Sequence, residues 1–204
     1  MKKIQTVFKR VFDGHKIIDI TPDFTNGMCR TAFLYGLPTI KIDGSCCAII
    51  SGKLYKRFDA KAGRIIPAGA IKCQEEADPI TGHLPCWVPC SRNKPEDKWF
   101  YEALDKRFES ERIPDGTYEA VGKHFNANPY GMEYDTLYKH GELFAIGLVH
   151  RTFETVRDWL ENNPVEGVVF WVGGDPVCKI KRSDFGFEWP CKEAKTGGYK
   201  YVCR

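Results

Sequence analysis

Single charged residues lie inside short apolar runs, and glycine-containing turns separate these runs. The clearest turn of this kind is Gly173-Gly174-Asp175-Pro176, which separates the apolar run Gly167–Val172 from residues 177–181, where two lysines alternate with apolar residues. Apolar runs of this length, bounded by Gly and Pro, are typical of β-strands that pair through a tight turn. A chain built this way folds into sheets whose strands each present a few charged side chains on one face.

The remaining periodicity predicts more strands than helices. Two segments, 96–112 and 153–163, have apolar residues at helical spacing, and Thr152 and Pro164 are suited to begin and end the second helix. Asp13-Gly14 and Ser51-Gly52-Lys53 are typical of hairpin turns. The predicted strands are 7–12, 16–20, 46–50, 54–58, 117–121, 142–149, 167–172 and 177–181. Because most connections favour antiparallel pairing, the predicted fold class is α+β.

Length and composition favour one globular domain. The chain has 204 residues, 43% of them hydrophobic, which is enough for a sizeable core, and we expect a domain at 1–190 and a polar tail at 191–204. The formal net charge of +3 requires any nucleic-acid site to be local. No apolar run approaches the roughly 20 residues of a membrane span. With no signal-peptide core, we expect a cytoplasmic protein with nine reduced cysteines.

Lys41-Ile42-Asp43-Gly44 combines a lysine, a carboxylate and a turn. In an extended backbone Lys41 and Asp43 point to one side, and Gly44 permits a tight turn. Alone, this short motif is better explained as a surface ion pair. Apolar residues on both sides place it against a core instead.

Lys179 and Lys181 alternate with Cys178 and Ile180, so both lysines share one strand face. Neighbouring lysines on a half-buried face repel each other, but they suit a site for phosphate groups. The alternative is a solvated edge strand protected from aggregation by its charges. Glu119 and Glu166, taken singly, are equally well explained as exposed surface residues.

Cys73, His83, Cys86 and Cys90 could supply four zinc ligands. Their spacings are irregular and lack the usual paired-cysteine turn. The alternative is a loop with incidental cysteines.

The order Lys41, Glu119, Glu166, Lys179-Ile180-Lys181 resembles the covalent nucleotidyltransferases, which include the ATP-dependent DNA and RNA ligases and the mRNA capping enzymes. More narrowly, the chain is similar to small RNA ligases with a KxDGxCC motif. That similarity rests on residues 41–47, 82–89, 126–131 and 185–190, and spans most of the chain from 11 to 190. It implies a single nucleotidyltransferase domain of antiparallel sheets flanked by helices, without an OB domain.

The resemblance also implies roles for individual residues. Lys41 would be the nucleophile that becomes adenylylated, and Lys179 and Lys181 would contact the α-phosphate and the leaving pyrophosphate of ATP. Asp43 and Glu166 would position Mg²⁺ or Mn²⁺, mainly through water. The remaining assignments are Arg57 at the ribose or substrate phosphate and Glu119 at the ribose or metal-bound water. The family also has an aromatic residue that stacks on the base; no motif marks it in this chain, and Phe144 is our candidate.

The activity implied is ATP-dependent joining of RNA 5′-phosphate and 3′-hydroxyl ends through lysyl-AMP and RNA-adenylate intermediates. A GTP-using capping-type enzyme, a minimal DNA ligase and a non-catalytic nucleotide- or RNA-binding module remain alternatives. Two basic groups would form a short track for an RNA end. They are Lys53, Lys56, Arg57, Lys61 and Arg64, and Lys179, Lys181 and Arg182.

Overall fold

The computed structural model describes residues 3–14, 16–61, 64–79, 81–108 and 113–198. Strands dominate these residues, and with one short exception they pair antiparallel, so the predicted α+β class is confirmed. The strands are β1 (Gln5–Thr6), β2 (Phe8–Asp13), β3 (Lys16–Phe24), β4 (Leu37–Lys41), β5 (Ser45–Ile50), β6 (Lys53–Ala60), β7 (Ile71–Lys72), β8 (Leu84–Pro89), β9 (Gly116–Val121), β10 (Thr136–Lys139), β11 (Gly167–Val172) and β12 (Asp175–Lys181). The α-helices are α1 (Gly27–Tyr35), α2 (Lys98–Phe108) and α3 (Phe153–Asn162).

The chain forms two compact units, each built around its own sheet. The four-stranded unit comprises Ile4–Ile42, Pro129–Gly131 and residues from Gly141 onward. The six-stranded unit comprises Asp43–Asn128 and Met132–His140, together with Lys3. The chain therefore passes from one unit to the other inside the Lys41–Gly44 motif.

The sheet of the four-stranded unit has the order β1-β12-β11-β4, with β1 parallel to β12 and the other pairs antiparallel. One face is apolar because alternate residues of the three long strands point to it. Ile40, Val168 and Ile180 form a row across this face, and all three are buried. The next alternate positions carry Phe170 and Cys178, which are fully buried as well.

Helix α1 covers this apolar face and packs against β11 and β12. Asn26 caps it by accepting a hydrogen bond from the backbone N–H of Cys29. The ring of Phe33 lies 5.1 Å from that of Phe170, edge to face. Full burial of such a side chain contributes about 1.5–3 kcal/mol, which helps to hold α1 against this face. The opposite face of the sheet remains available for the charged side chains of the strands.

The six-stranded unit contains an antiparallel sheet of order β10-β9-β5-β6-β8-β7. Its core lies on one face, where Cys47, Tyr118 and Leu137 are buried against Ala103 and Leu104 of α2. A short 3₁₀ turn at Pro95–Asp97 precedes α2, so the helix begins later than the predicted residue 96. Residues 109–112 at its predicted end lie outside the described residues.

The predicted turns have the expected chemistry. Ser51 and Gly52 adopt φ of 51° and 70° between β5 and β6, and Gly173 and Gly174 adopt 61° and 88° between β11 and β12. Two consecutive positive φ values match the twist of a tight hairpin. The first predicted hairpin is present as β2 and β3, which pair antiparallel. Helix α3 begins after Thr152, whose side chain accepts from the Thr155 N–H, and ends at Asn162.

The strand predicted at 142–149 is wrong. This segment makes one isolated bridge, from Phe144 to Thr39, and otherwise forms turns and irregular backbone. Gly141 and Gly147 adopt φ of 87° and 85°, which a strand does not allow. The apolar residues of the segment gave a strand-like pattern, but its glycines decide the backbone.

The end of the described chain is folded back onto the four-stranded unit. Cys191 and Ala194 are buried, and the backbone at Gly131 approaches Lys195. Residues 199–204 of the predicted tail lie outside the described residues. The eight cysteines that the structure describes are free thiols. None of the described helices has the length and apolar character needed to cross a membrane.

Candidate active-site clusters

Lys41, Glu166 and Lys181 meet on the face of the four-stranded sheet opposite its core. Lys41 Nζ donates a short hydrogen bond to one carboxylate oxygen of Glu166, and Lys181 Nζ lies 2.8 Å from the other. The Glu166 side chain is only 7% exposed, whereas the two lysines keep 24% and 29% exposure. With Lys179 these residues are called the lysine cluster below.

Strand register explains why these residues meet. Lys41 and Lys181 are both paired with Gly167 of the central strand, one from each side. Glu166 immediately precedes Gly167, and its carbonyl accepts a hydrogen bond of 2.9 Å from the Arg182 N–H. A Cβ at Gly167 would lie 2.2 Å from the Ile180 carbonyl oxygen. Only glycine therefore allows the close strand approach that places one carboxylate between two lysines.

Glu166 stays ionised in this setting. Burial acts to raise the pKa of its carboxyl, but the charges of Lys41 and Lys181 outweigh burial, and the net pKa is lowered. The prediction that Glu166 contributes to a site is consistent with this buried position, whereas the surface interpretation of Glu166 is wrong.

Lys179 lies two residues before Lys181, on the same face of β12. Burial, together with the positive charges of Lys41, Lys181 and Arg10, lowers its pKa from 10.5 to about 8, although Glu166 acts in the opposite direction. A lysine in such a position destabilises the protein unless an anion approaches it. The cluster as a whole therefore has more positive than negative charge at neutral pH and is suited to bind phosphate groups.

Aromatic groups lie on the same sheet face as the lysines. Phe144 forms an isolated β-bridge with Thr39 of β4. Thr39 is paired with Val169 of β11, and Val169 is paired with Lys179 of β12. Paired residues point to one face, and Phe144 is 53% exposed, so it remains available for the predicted stacking on a base. Trp171 also lies on this face and donates from its indole N–H to Thr39 Oγ1 at 2.7 Å; no sequence pattern predicts this contact.

Glu119 occupies a comparable position in the six-stranded unit, on the sheet face opposite its core. One of its carboxylate oxygens accepts from the Gly44 N–H at 3.1 Å, and the other lies 2.9 Å from His140 Nε2. Cys46 of β5 is paired directly with Glu119 of β9. Cys46, Glu119 and His140 are called the Glu119 cluster below. The surface interpretation of Glu119 is wrong, because the residue is 9% exposed.

Asp43 accepts a hydrogen bond of 2.7 Å from the side-chain amide of Asn126. Asn126, Ala127 and Asn128 all adopt positive φ, of 43°, 55° and 52°. Three consecutive non-glycine residues in this region are strained, and the strained segment delivers the amide to Asp43. Asn126 lies within the segment 126–131 that resembles the small RNA ligases, and its contact with Asp43 depends on this backbone conformation.

The residues of the first predicted basic group that lie on β6 do not all point to the same face of the sheet. Arg57 alternates with Lys56, so the two side chains point to opposite sides of the sheet. Lys56 pairs at 2.5 Å with Asp97, which is fully buried on the core side. Arg57 lies on the Glu119 side and donates to Asp59 at 2.7 Å. The prediction that Lys56 contacts RNA is therefore wrong, while Arg57 remains a candidate.

Arg182 is also structural rather than a phosphate contact. It is 8% exposed and donates to the backbone carbonyls of Leu160, Asn163 and Glu188. These contacts place a cation at the carboxyl end of α3, where the helix dipole is negative. Of the second basic group, Lys179 and Lys181 remain available for phosphate.

The four suggested zinc ligands do not converge. Cys86 lies fully buried on β8, and Cys90 follows the end of that strand beside Lys56 and Asp97. Among the residues that the structure describes, the grouping of three or more possible metal ligands is Cys46, Glu119 and His140. Sequence spacing does not reveal this grouping, because its residues lie on three different strands or their ends.

Comparison with known proteins gives a distant but consistent relationship. No model of a protein family matches the chain. RNA ligase 1 of Pongo abelii is 24% identical over 76% of this chain and 68% of its own length. RNA ligase 1 of Rattus norvegicus is 23% identical over 74% and 68%, and that of Danio rerio is 24% identical over 53% and 42%. The chain is thus a distant relative of the proteins named RNA ligase 1.

Proposed function

We propose that the chain is an ATP-dependent RNA ligase in which Lys41 becomes covalently adenylylated. The observation that carries the proposal is the lysine cluster, in which Lys41 and Lys181 share the buried carboxylate of Glu166. The distant relatives named RNA ligase 1 support RNA as the substrate.

The chemistry proceeds in three transfers. Lys41 Nζ attacks the α-phosphorus of ATP, so that an N–P bond forms, the bond to the bridging oxygen breaks, and pyrophosphate leaves. A phosphate oxygen of the RNA 5′ end then attacks the same phosphorus and releases the lysine. Finally the 3′-hydroxyl attacks the activated 5′-phosphate and expels AMP. Each transfer passes through a phosphoryl group with spread negative charge, which fixed positive charges stabilise.

The residues of the four-stranded unit supply that charge. Lys179 and Lys181 are two residues apart on one face of β12 and would contact the triphosphate. Phe144 and Trp171 offer an aromatic surface for the base on that face. Glu166 holds Lys41 in place before the nucleotide binds, but the amine must lose its proton before it attacks. Breaking the Lys41–Glu166 ion pair is therefore part of activation.

A divalent metal fits the donor set, because Glu166 is an ionised oxygen ligand in a largely buried position. Mg²⁺ or Mn²⁺ held there would neutralise phosphate charge. Asp43 and Glu119 remain predicted partners of this metal, and Arg57 and Glu119 remain predicted nucleotide contacts.

The test is labelling with α-³²P-ATP followed by denaturing electrophoresis. The wild-type chain should retain label, and Lys41→Arg should retain none, because arginine keeps the ion pair with Glu166 but cannot act as a nucleophile. Lys9→Ala, which removes an exposed lysine of the same unit, should label normally. Label retained by Lys41→Arg in the same peptide would refute the assignment, and label from GTP alone would indicate a capping-type enzyme.

The substrate class requires a separate experiment. Matched nicked substrates that differ only in the terminal sugars should be sealed faster with RNA ends, since 2′-hydroxyl contacts are how proteins distinguish RNA from DNA. Equal rates with all-DNA ends would replace the RNA ligase by a minimal DNA ligase. Adenylylation without sealing of either substrate would also contradict the proposal.

A further inference from the structure

Cys46, Glu119 and His140 offer three different metal-binding groups at one point of the six-stranded unit. Cys46 Sγ, one carboxylate oxygen of Glu119 and one ring nitrogen of His140 all lie within 4.8 Å of one another. The residues come from β5, from the neighbouring strand β9, and from the position that follows β10. Three separate strands of one sheet therefore fix the spacing, and no side chain has to leave its strand register to reach the others.

Contacts around the cluster orient its ligands. The ring Nδ1 of His140 lies 2.9 Å from Thr117 Oγ1, and its backbone N–H donates to the Thr117 carbonyl at 3.0 Å. The other nitrogen, Nε2, is thereby directed at Glu119. The second oxygen of Glu119 is held by the Gly44 N–H. In protein metal sites, ligating histidines and carboxylates are held by such hydrogen bonds from residues behind them.

The charges of the ligands also suit a divalent cation. A thiolate and a carboxylate together neutralise two positive charges, and the neutral imidazole adds a third bond. Glu119 is 9% exposed and the His140 side chain 16%, so solvent competes weakly. Sulfur and imidazole ligands favour a borderline cation such as Zn²⁺ over Mg²⁺, which prefers oxygen.

We propose that Cys46 Sγ, Glu119 Oε and His140 Nε2 bind one divalent cation of the zinc type, with a fourth position open to water or another ligand. Binding releases the thiol proton of Cys46 to solvent and leaves the sulfur as a metal-bound thiolate. The site shares Glu119 with the predicted magnesium and nucleotide contacts, but its other two ligands, Cys46 and His140, belong to neither, and it does not depend on the ligase assignment.

The metal has a structural consequence for the nucleophile motif. Glu119 holds the Gly44 N–H, and Gly44 directly follows Asp43 in the turn after Lys41. A cation that fixes the Glu119 carboxylate also fixes this turn. In the alternative arrangement no metal binds, and His140 and Glu119 are joined by their direct hydrogen bond.

Co²⁺ provides the direct test, because a thiolate bound to Co²⁺ gives a near-ultraviolet charge-transfer band that oxygen and nitrogen ligands do not give. The full chain, stripped with a chelator and kept reduced, is titrated with Co²⁺ and then with Zn²⁺ in competition. We expect a charge-transfer band that saturates at one equivalent, disappears on addition of Zn²⁺, and accompanies a rise in thermal stability that increases with metal concentration.

Variants assign the ligands. Cys46→Ser should abolish the band, and His140→Gln should keep it but weaken Co²⁺ affinity at least about tenfold, the scale expected for loss of a metal contact. Cys73→Ser, a change at another half-buried thiol of the same unit, should leave band and affinity unchanged. Absence of the band in the wild-type chain, its survival in Cys46→Ser, or its loss in Cys73→Ser would each overturn the proposal. Circular dichroism of each variant confirms that the chain is folded.

Discussion

In both the four-stranded and the six-stranded unit, the candidate functional side chains lie on the sheet face opposite the hydrophobic core. The lysine cluster gathers like charges around one carboxylate. The Glu119 cluster gathers a thiol, a carboxylate and an imidazole, and the carboxylate hydrogen bonds to the imidazole and to the Gly44 N–H. The same pleated geometry thus presents the proposed phosphate site in one unit and the proposed metal site in the other, and the two differ in side-chain chemistry.

A close strand approach at glycine supports each cluster. A Cβ at Gly167 would lie 2.2 Å from the Ile180 carbonyl oxygen, and a Cβ at Gly44 would lie 2.2 Å from the Ala120 carbonyl oxygen. Both glycines are adjacent to a proposed functional residue, Glu166 and Asp43. The two clusters therefore differ in charge, but each depends on a glycine whose backbone lies too close to a neighbouring strand to carry a Cβ atom.

The largest expected effect tests the charge balance of the lysine cluster. Glu166→Gln and Lys181→Ala should each lower RNA sealing at least about a hundredfold, the scale of a lost preorganised charge contact. Sealing is measured under single-turnover conditions with saturating ATP. Lys9→Ala is the matched control and should seal normally. A loss smaller than about tenfold, with unchanged metal dependence, would mean that neither residue contributes to the reaction.

The shared glycine requirement is tested by Gly167→Ala and Gly44→Ala. Because the added Cβ meets backbone that cannot rotate away, each change should lower the free energy of unfolding by about 1–3 kcal/mol, the usual cost of overpacking. The measurement is urea denaturation followed by circular dichroism.

Gly27→Ala is the control for this pair, since nothing lies within 4 Å of its Cβ position at the start of α1. It should leave stability unchanged or raise it slightly, because alanine is a better helix former than glycine. Equal stability of the Gly167→Ala and Gly27→Ala proteins would show that the strand approach is not the constraint.

An expected effect of similar size but opposite sign separates stability from function in the lysine cluster. Lys179 has a pKa lowered to about 8 by burial and by neighbouring positive charges, against 10.5 ordinarily. The unfolded chain therefore binds more protons than the folded chain between these values, so the cost of charged Lys179 is full below pH 8 and disappears as pH rises toward 10.5. Lys179→Met should stabilise the fold at pH 7 by about 1–3 kcal/mol while it weakens ATP binding.

Thermal unfolding of the wild-type and Lys179→Met chains at several pH values between 7 and 10.5 measures this. The difference in stability should shrink as pH rises. A destabilised Lys179→Met chain at pH 7, or a difference independent of pH, would mean that Lys179 does not carry an uncompensated charge.

Local patterns predicted the hairpins and α3 well. The Ser51-Gly52 and Gly173-Gly174 turns adopt the positive φ values that their residues favour, and Thr152 caps α3 as expected. The strand predicted at 142–149 is not formed, because Gly141 just before the segment and Gly147 within it adopt positive φ, although the apolar residues gave a strand-like pattern. Phe144 nevertheless reaches the lysine face, through a single bridge to Thr39 that no local pattern contains.

By itself, the sequence determined the α+β class, the alternation that places Lys179 and Lys181 on one face, and the order of the charged residues from Lys41 to Lys181. These follow from nearest-neighbour geometry, since residues two apart in a strand share a face. Only tertiary structure decided that Lys41 and Lys181 are both paired with Gly167, that Lys56 turns inward to Asp97, and that His140 meets Glu119 and Cys46. Strand register brings together residues that are distant in the chain, and no short sequence pattern encodes that register.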